Sequence, residues 1–127
     1  MTQDSKKKRV LIIDDDGDLL EVLLVLLEEK GFLVDMSLDG QAGLAKVKSF
    51  KPDVILLDIF MPGMDGWEVC TKIRKVTSSK GIPVIMFTAH NMQDFAERAL
   101  NVGASRIVEK SVDYKELVKI INECIGD

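Results

Sequence analysis

Five short apolar runs, at residues 10–13, 32–36, 54–57, 84–87 and 106–108, alternate with longer segments of helical periodicity near 18–30, 40–50, 66–76, 94–102 and 113–125. This alternation constrains the fold more than any other feature of the chain. A strand followed by a helix and another strand reads as a parallel βαβ unit, because parallel neighbours need a crossover long enough to hold a helix. The punctuation agrees. Gly31 follows the first helical segment, Pro52 and the Gly81-Ile82-Pro83 triplet lead into the third and fourth runs, and Gly103 closes the fourth helix. The interior runs are almost unbroken in apolar character, as strands are when helices cover both faces of a sheet. The expected fold is therefore α/β, a doubly wound parallel sheet of five strands with five helices. In such sheets ligands bind beyond the carboxyl ends of the strands.

Those strand ends carry a consistent chemistry. Asp14-Asp15-Asp16 follows the first run, Asp58 the third, Thr88-Ala89 the fourth and Lys110 the fifth. An Asp after a strand often caps a turn or a helix, and Asp16 and Asp18 are assigned to that. Asp14, Asp15 and Asp58 are harder to explain as caps, since three carboxylates brought to one crevice repel one another unless a cation neutralises them. A hard, oxygen-preferring dication fits. Mg²⁺ takes one or two carboxylates, keeps several waters and leaves positions for phosphate oxygens.

The sequence resembles the response-regulator receiver family from about Arg9 to Ile125. The segments that carry the resemblance are Val10-Leu11-Ile12-Ile13-Asp14-Asp15-Asp16, the run from Pro52 through Asp58 and Met61-Pro62-Gly63 to Asp65-Gly66, Pro83-Val84-Ile85-Met86-Phe87-Thr88-Ala89, and Gly103-Ala104 followed by Lys110. The resemblance implies a flavodoxin-like strand order, 2-1-3-4-5, and a receiver domain over residues 9–127 behind a flexible leader at 1–8. It implies that Asp58 accepts a phosphoryl group, that Asp15 binds Mg²⁺ directly and Asp14 through water, and that the main-chain carbonyl of Phe60 adds a ligand. Thr88, Ala89 and Lys110 are implied around the phosphoryl group, with a histidine kinase or histidine phosphotransfer protein as donor. The chain is expected to be a switch and no enzyme, catalysing only its own phosphorylation and dephosphorylation. It is expected to be a monomer or a weak phosphorylation-dependent dimer, with an unidentified protein target.

Four positions depart from the family pattern or tune it. Ser111 stands after Lys110 where the family has Pro behind a cis bond; a cis bond before a non-proline residue costs about 2.5–4 kcal/mol, so the bond is either trans with Lys110 re-aimed, which is the expectation, or cis and held under strain. Ile107 stands where the family places an aromatic ring that moves with the Thr, which predicts a smaller rearrangement of the face made by the fourth helix, fifth strand and fifth helix. Phe60, two residues past the acceptor, offers no group to hold an attacking water and predicts slow loss of the phosphoryl group. His90, two past Thr88, is either an exposed loop residue or a base near neutral pH. From Leu19 to Leu27 every residue except Glu21 is apolar, more than one buried helix face uses, so this helix either presents an apolar patch to the phosphodonor, as the resemblance implies, or packs deeply with one or two exposed leucines.

Composition removes other classes. A formal charge of −4 with 17 basic residues gives no broad cationic surface for nucleic acid, and Lys6-Lys7-Lys8-Arg9 reads as a solvated terminus. The two cysteines, Cys70 and Cys124, lack metal-ligand spacing and fit a reducing cytoplasm. No run reaches about 18 apolar residues, so no membrane span is expected, and the polar start Met1-Thr2-Gln3-Asp4 does not read as a secretory signal. A haloacid-dehalogenase type of phosphohydrolase needs Asp-x-Asp-x-Thr, and here the third position is Asp18. A calcium loop fails at Leu19 and Val25, where Gly and Glu belong, and a flavin carrier fails because three aspartates would repel its phosphate. Nothing recognisable as a linker or helix-turn-helix follows the fifth helix, so action by protein contact is expected, with the receiver part of a longer transcriptional regulator as the alternative.

Overall fold

The computed structural model describes residues 7–76 and 81–126, so the leader expected at 1–8 falls outside the described residues over 1–6. The elements are β1 (Arg9–Ile13), α1 (Gly17–Glu29), β2 (Leu33–Ser37), α2 (Gly40–Phe50), β3 (Val54–Leu57), α3 (Gly66–Val76), β4 (Val84–Thr88), a 3₁₀ turn at Met92–Asp94, α4 (Ala96–Asn101), β5 (Arg106–Glu109) and α5 (Tyr114–Ile125). All strand pairs are parallel and the order is β2-β1-β3-β4-β5, as expected. Chain order reverses between β1 and β3, which opens a crevice at their carboxyl ends.

Alternate residues of each strand feed two separate cores. Leu11, Ile13, Ile55 and Leu57 point to the side covered by α2, α3 and α4. Val10, Ile12, Leu56 and Phe87 point to the side covered by α1 and α5. Leu23, Leu27, Ile73 and Leu117 are completely buried and fasten the helices down, each contributing roughly 1.5–3 kcal/mol through removal from water.

Most boundaries lie within one residue of the sequence expectation, and two of the differences have a clear cause. β2 begins one residue later, because the Phe32 N–H is still bonded to the Leu27 carbonyl at 3.1 Å, and the ladder starts only where Leu33 N–H reaches Lys8 O at 2.9 Å. The helix expected over 94–102 is split: Asp94 ends a 3₁₀ turn, and α4 covers only Ala96–Asn101 with Phe95 at its N-cap and no side-chain cap. The other helix starts follow their caps. Asp16, Asp39 and Asp113 each accept a main-chain N–H in the first turn of α1, α2 and α5, while Asp18 lies inside the first turn of α1 without capping it.

Candidate functional site

The ladder that ends β1 and β3 delivers two carboxylates to the crevice. Asp14 N–H donates to the Ser37 carbonyl at 3.0 Å and Asp58 N–H to the Ile13 carbonyl at 2.9 Å, so each residue sits one step past its strand at a height fixed by the neighbour. Both are nearly sealed from solvent, Asp14 at 1 % and Asp58 at 5 % exposure, whereas Asp15 is exposed. Asp14 Oδ1 accepts the Asp16 N–H at 2.9 Å, which turns the chain back toward the start of α1.

Behind Asp58 the chain turns without room for a side chain. Gly66 N–H donates to the Ile59 carbonyl at 2.7 Å, and a Cβ on Gly66 would fall on the Asp58 carbonyl oxygen. The Asp65-Gly66 pair is therefore a packing requirement: Asp65 accepts the Glu68 N–H at 3.0 Å at the start of α3, and Gly66 allows the helix to abut the acceptor loop.

One ligand atom from each of Asp14, Asp15 and Asp58 lies within 4.8 Å of the others, a grouping able to hold a metal ion. Nζ of Lys110 stands 2.8 Å from Asp14 Oδ2 and 3.3 Å from Asp58 Oδ1. Asp14 Oδ2 is buried and takes no well-directed hydrogen bond from the described residues, so the Lys110 contact is an ion pair. Three carboxylates facing one ammonium leave an excess of negative charge, which a hard, oxygen-preferring cation neutralises; the residues present fit Mg²⁺. Burial, then the Asp14 charge, pushes the Asp58 carboxyl from 3.8 to about 6 despite the pull of Lys110. Burial works against the Lys110 charge, but Asp14 and Asp58 outweigh it and hold the ammonium above its ordinary value.

Thr88 is fully buried at the end of β4, and its Oγ1 accepts the His90 N–H at 3.0 Å. Ala89, beyond it, is exposed. The Lys110–Ser111 bond is trans, as expected. Ile107 is half-buried against the core on the α4 side.

The crevice rim also carries a ring cluster that the sequence did not announce. Phe60, 45 % exposed, meets His90 edge-on at 4.7 Å and Phe95 at 5.5 Å between centroids, Phe95 lies 5.9 Å from Trp67, and the Arg98 guanidinium sits 4.5 Å over Trp67. His90 is thus an exposed loop residue, yet its ring is packed. Rings from four segments meet here, and no local spacing signals that.

The family model described as "Response regulator receiver domain" matches residues 10–122. This chain belongs to that family. The receiver domain is 36 % identical over 115 residues to the DNA-binding response regulator MtrA of Mycobacterium tuberculosis, an alignment covering 91 % of this chain and 49 % of that protein. It is 34 % identical over 110 residues to the DNA-binding dual master transcriptional regulator RpaA of Synechocystis, 87 % of this chain and 46 % of that one. The receiver domain spans about half the length of these curated relatives. Among solved structures, a CheY-like response regulator receiver domain protein from Methanospirillum hungatei superposes with a TM-score of 0.87 at 32 % identity, covering 94 % of both chains. The response regulator TrrA of Thermotoga maritima, solved in complex with Mg²⁺ and beryllofluoride, superposes with a TM-score of 0.81 at 32 % identity, covering 92 % of this chain and 98 % of that one. Among the described residues, no helix is long and apolar enough to cross a membrane.

Proposed function

We propose that this receiver domain accepts a phosphoryl group on Asp58 from the phosphohistidine of a histidine kinase or histidine phosphotransfer protein, in a Mg²⁺-dependent cytoplasmic reaction. The observation that carries the reading is the meeting of Asp14, Asp15 and Asp58 beside Lys110, whose Nζ is 3.3 Å from the acceptor carboxylate. The Mg²⁺-beryllofluoride complex of TrrA supports the choice of metal. Asp14, Asp15, Asp58 and the Phe60 carbonyl would hold the ion; when bound, it neutralises the carboxylates and the phosphoryl oxygens.

An Asp58 oxygen attacks phosphorus, the O–P bond forming as the P–N bond to the donor imidazole breaks, and the electron pair of that bond leaves with the imidazole. Lys110 pairs with a phosphoryl oxygen as a compact charge. The Thr88 hydroxyl, which now accepts from His90, donates to another oxygen, with Ala89 alongside. Turning Thr88 inward draws on the loop that leads to α4, and that movement is the signal to a protein target. The half-exposed Phe60 ring shields the product and favours a long-lived acyl phosphate. The domain modifies itself and turns over no external substrate.

A second reading follows from length. Because MtrA and RpaA are DNA-binding and about twice as long, this domain would be the switch half of a DNA-binding regulator, with DNA contacted by another domain. Phosphorylation is tested by incubation with acetyl phosphate or a phosphorylated kinase and intact-protein mass spectrometry. One added phosphoryl group is expected with Mg²⁺ and none with chelator or in Asp58→Asn; labelling of Asp58→Asn would reassign the acceptor.

A further inference from the structure

We propose that the groove between α2 and α3 receives helix α1 of a second copy of this chain, in a head-to-tail contact that needs neither metal nor phosphoryl group. The groove encloses about 560 Å³ over an apolar floor that includes Leu44, Ile73 and Val76, with Lys48, Lys72 and Lys75 on its rim. Val76 is 53 % exposed. Glu68 stands 3.9 Å from Lys72 and tempers one of the three charges. Such a groove calls for an occupant that is apolar along one stripe and acidic at its edges.

Helix α1 carries that pattern. Asp18, Val22, Val25 and Glu29 recur at helical spacing and share one side of the helix. All four are exposed, Val22 at 48 % and Val25 at 57 %. Glu21 and Glu28 flank the stripe, and α1 holds no basic residue. The charge of this stripe is opposite to that of the rim, and its apolar centre is two valines, small enough to seat between helices.

The two surfaces lie on opposite sides of the sheet, α1 over one core and α2 with α3 over the other. One pair of molecules therefore cannot satisfy both surfaces of both partners. Each contact leaves a helix free on one copy and a groove free on the other, so association propagates beyond the dimer, into a ring where the rotation between copies closes and into an open chain where it does not.

Sedimentation velocity tests this. For the unmodified protein at low salt, the weight-average mass should rise with concentration above the monomer value of 14.1 kDa, and the rise should shrink in about 0.5 M salt, where the Debye length falls to roughly 4 Å. A groove variant, Lys72→Glu with Lys75→Glu, and a helix variant, Val25→Lys with Glu29→Lys, should each stay monomeric while melting like the parent. Mixed in equal amounts, they should form a dimer and go no further, since the first keeps its helix and the second its groove. A monomer at every concentration up to roughly 1 mM, association that survives both sets of charge changes, or a mixture that stays monomeric would overturn the proposal.

Discussion

Without metal at pH 8, Asp58→Asn should make the protein more stable. Burial first, and the Asp14 carboxylate second, raise the Asp58 carboxyl from 3.8 to about 6. The folded protein thus holds that proton more tightly than the unfolded chain does. Its contribution to stability is fully present below about pH 3.8 and is lost as pH rises through about 6. At about 1.4 kcal/mol per pH unit the loss at pH 8 is about 3 kcal/mol, and roughly half of that at pH 5. Asp58 is 5 % exposed, so solvent does little to dilute the effect. Asn keeps the shape of the protonated acid and cannot ionise, so it should recover most of the loss, a rise of roughly 10 °C in Tm for a domain of this size. Thermal melts in chelator at pH 4, 5 and 8 measure the gain, which should shrink toward zero at the acid end. A gain that is absent at pH 8, or equally large at pH 4, would show that ionisation of Asp58 is not its source.

The same carboxyl links metal binding to pH: Mg²⁺ affinity should be flat above about pH 7 and fall toward tenfold per pH unit below about 6, as protons compete at Asp58, and calorimetry showing equal affinity at pH 5 and 8 would contradict that. Gly66→Ala should cost about 2–3 kcal/mol in urea unfolding, because the new Cβ meets the main chain at Asp58, which cannot give way like a side chain; a neutral effect would mean the acceptor loop is looser than this packing. Lys110→Met should leave Mg²⁺ affinity intact or stronger, since it removes a competing cation 2.8 Å from Asp14, yet slow acetyl-phosphate labelling on the order of 10²-fold. Parallel loss of both properties would assign Lys110 to the metal site instead.

The sheet was legible because its signal is periodic and redundant. β3, and β1 after Arg9, are unbroken apolar runs flanked by helices, as in a sheet covered on both faces, while the strand order was implied by the family resemblance. The site was legible because its members follow strand ends, where a doubly wound sheet must bring them together. What escaped depends on contacts between segments. Nothing in the sequence told Asp14, sealed in the crevice, from Asp15, open to solvent. Phe32 looks like a strand residue and is buried like one, yet its N–H belongs to the end of α1. The split before α4 has no local warning either, because Phe95 is tied by rings from Phe60 and Trp67 rather than by a capping side chain.

Ser111 is the instructive departure. The family's proline after the lysine reads, from sequence, as the device that aims the lysine, and its loss predicts a lysine aimed elsewhere. In this chain the Lys110 N–H donates to the Thr88 carbonyl at 2.7 Å, one step beyond the β4–β5 register that ends at Thr88 opposite Glu109. The main-chain position of Lys110 is therefore set by the strand before it, and a four-carbon side chain covers the remaining distance to Asp14 and Asp58. A trans bond after Lys110 is compatible with this arrangement because the ladder already fixes what the proline would otherwise have to fix. By that reasoning the sensitive residue for lysine placement is on β5 itself: Val108→Pro lies where β5 pairs with Phe87, and its damage to the ladder should impair acceptor labelling, whereas Ser111→Ala should leave labelling within about twofold, as a surface substitution away from packing and caps does.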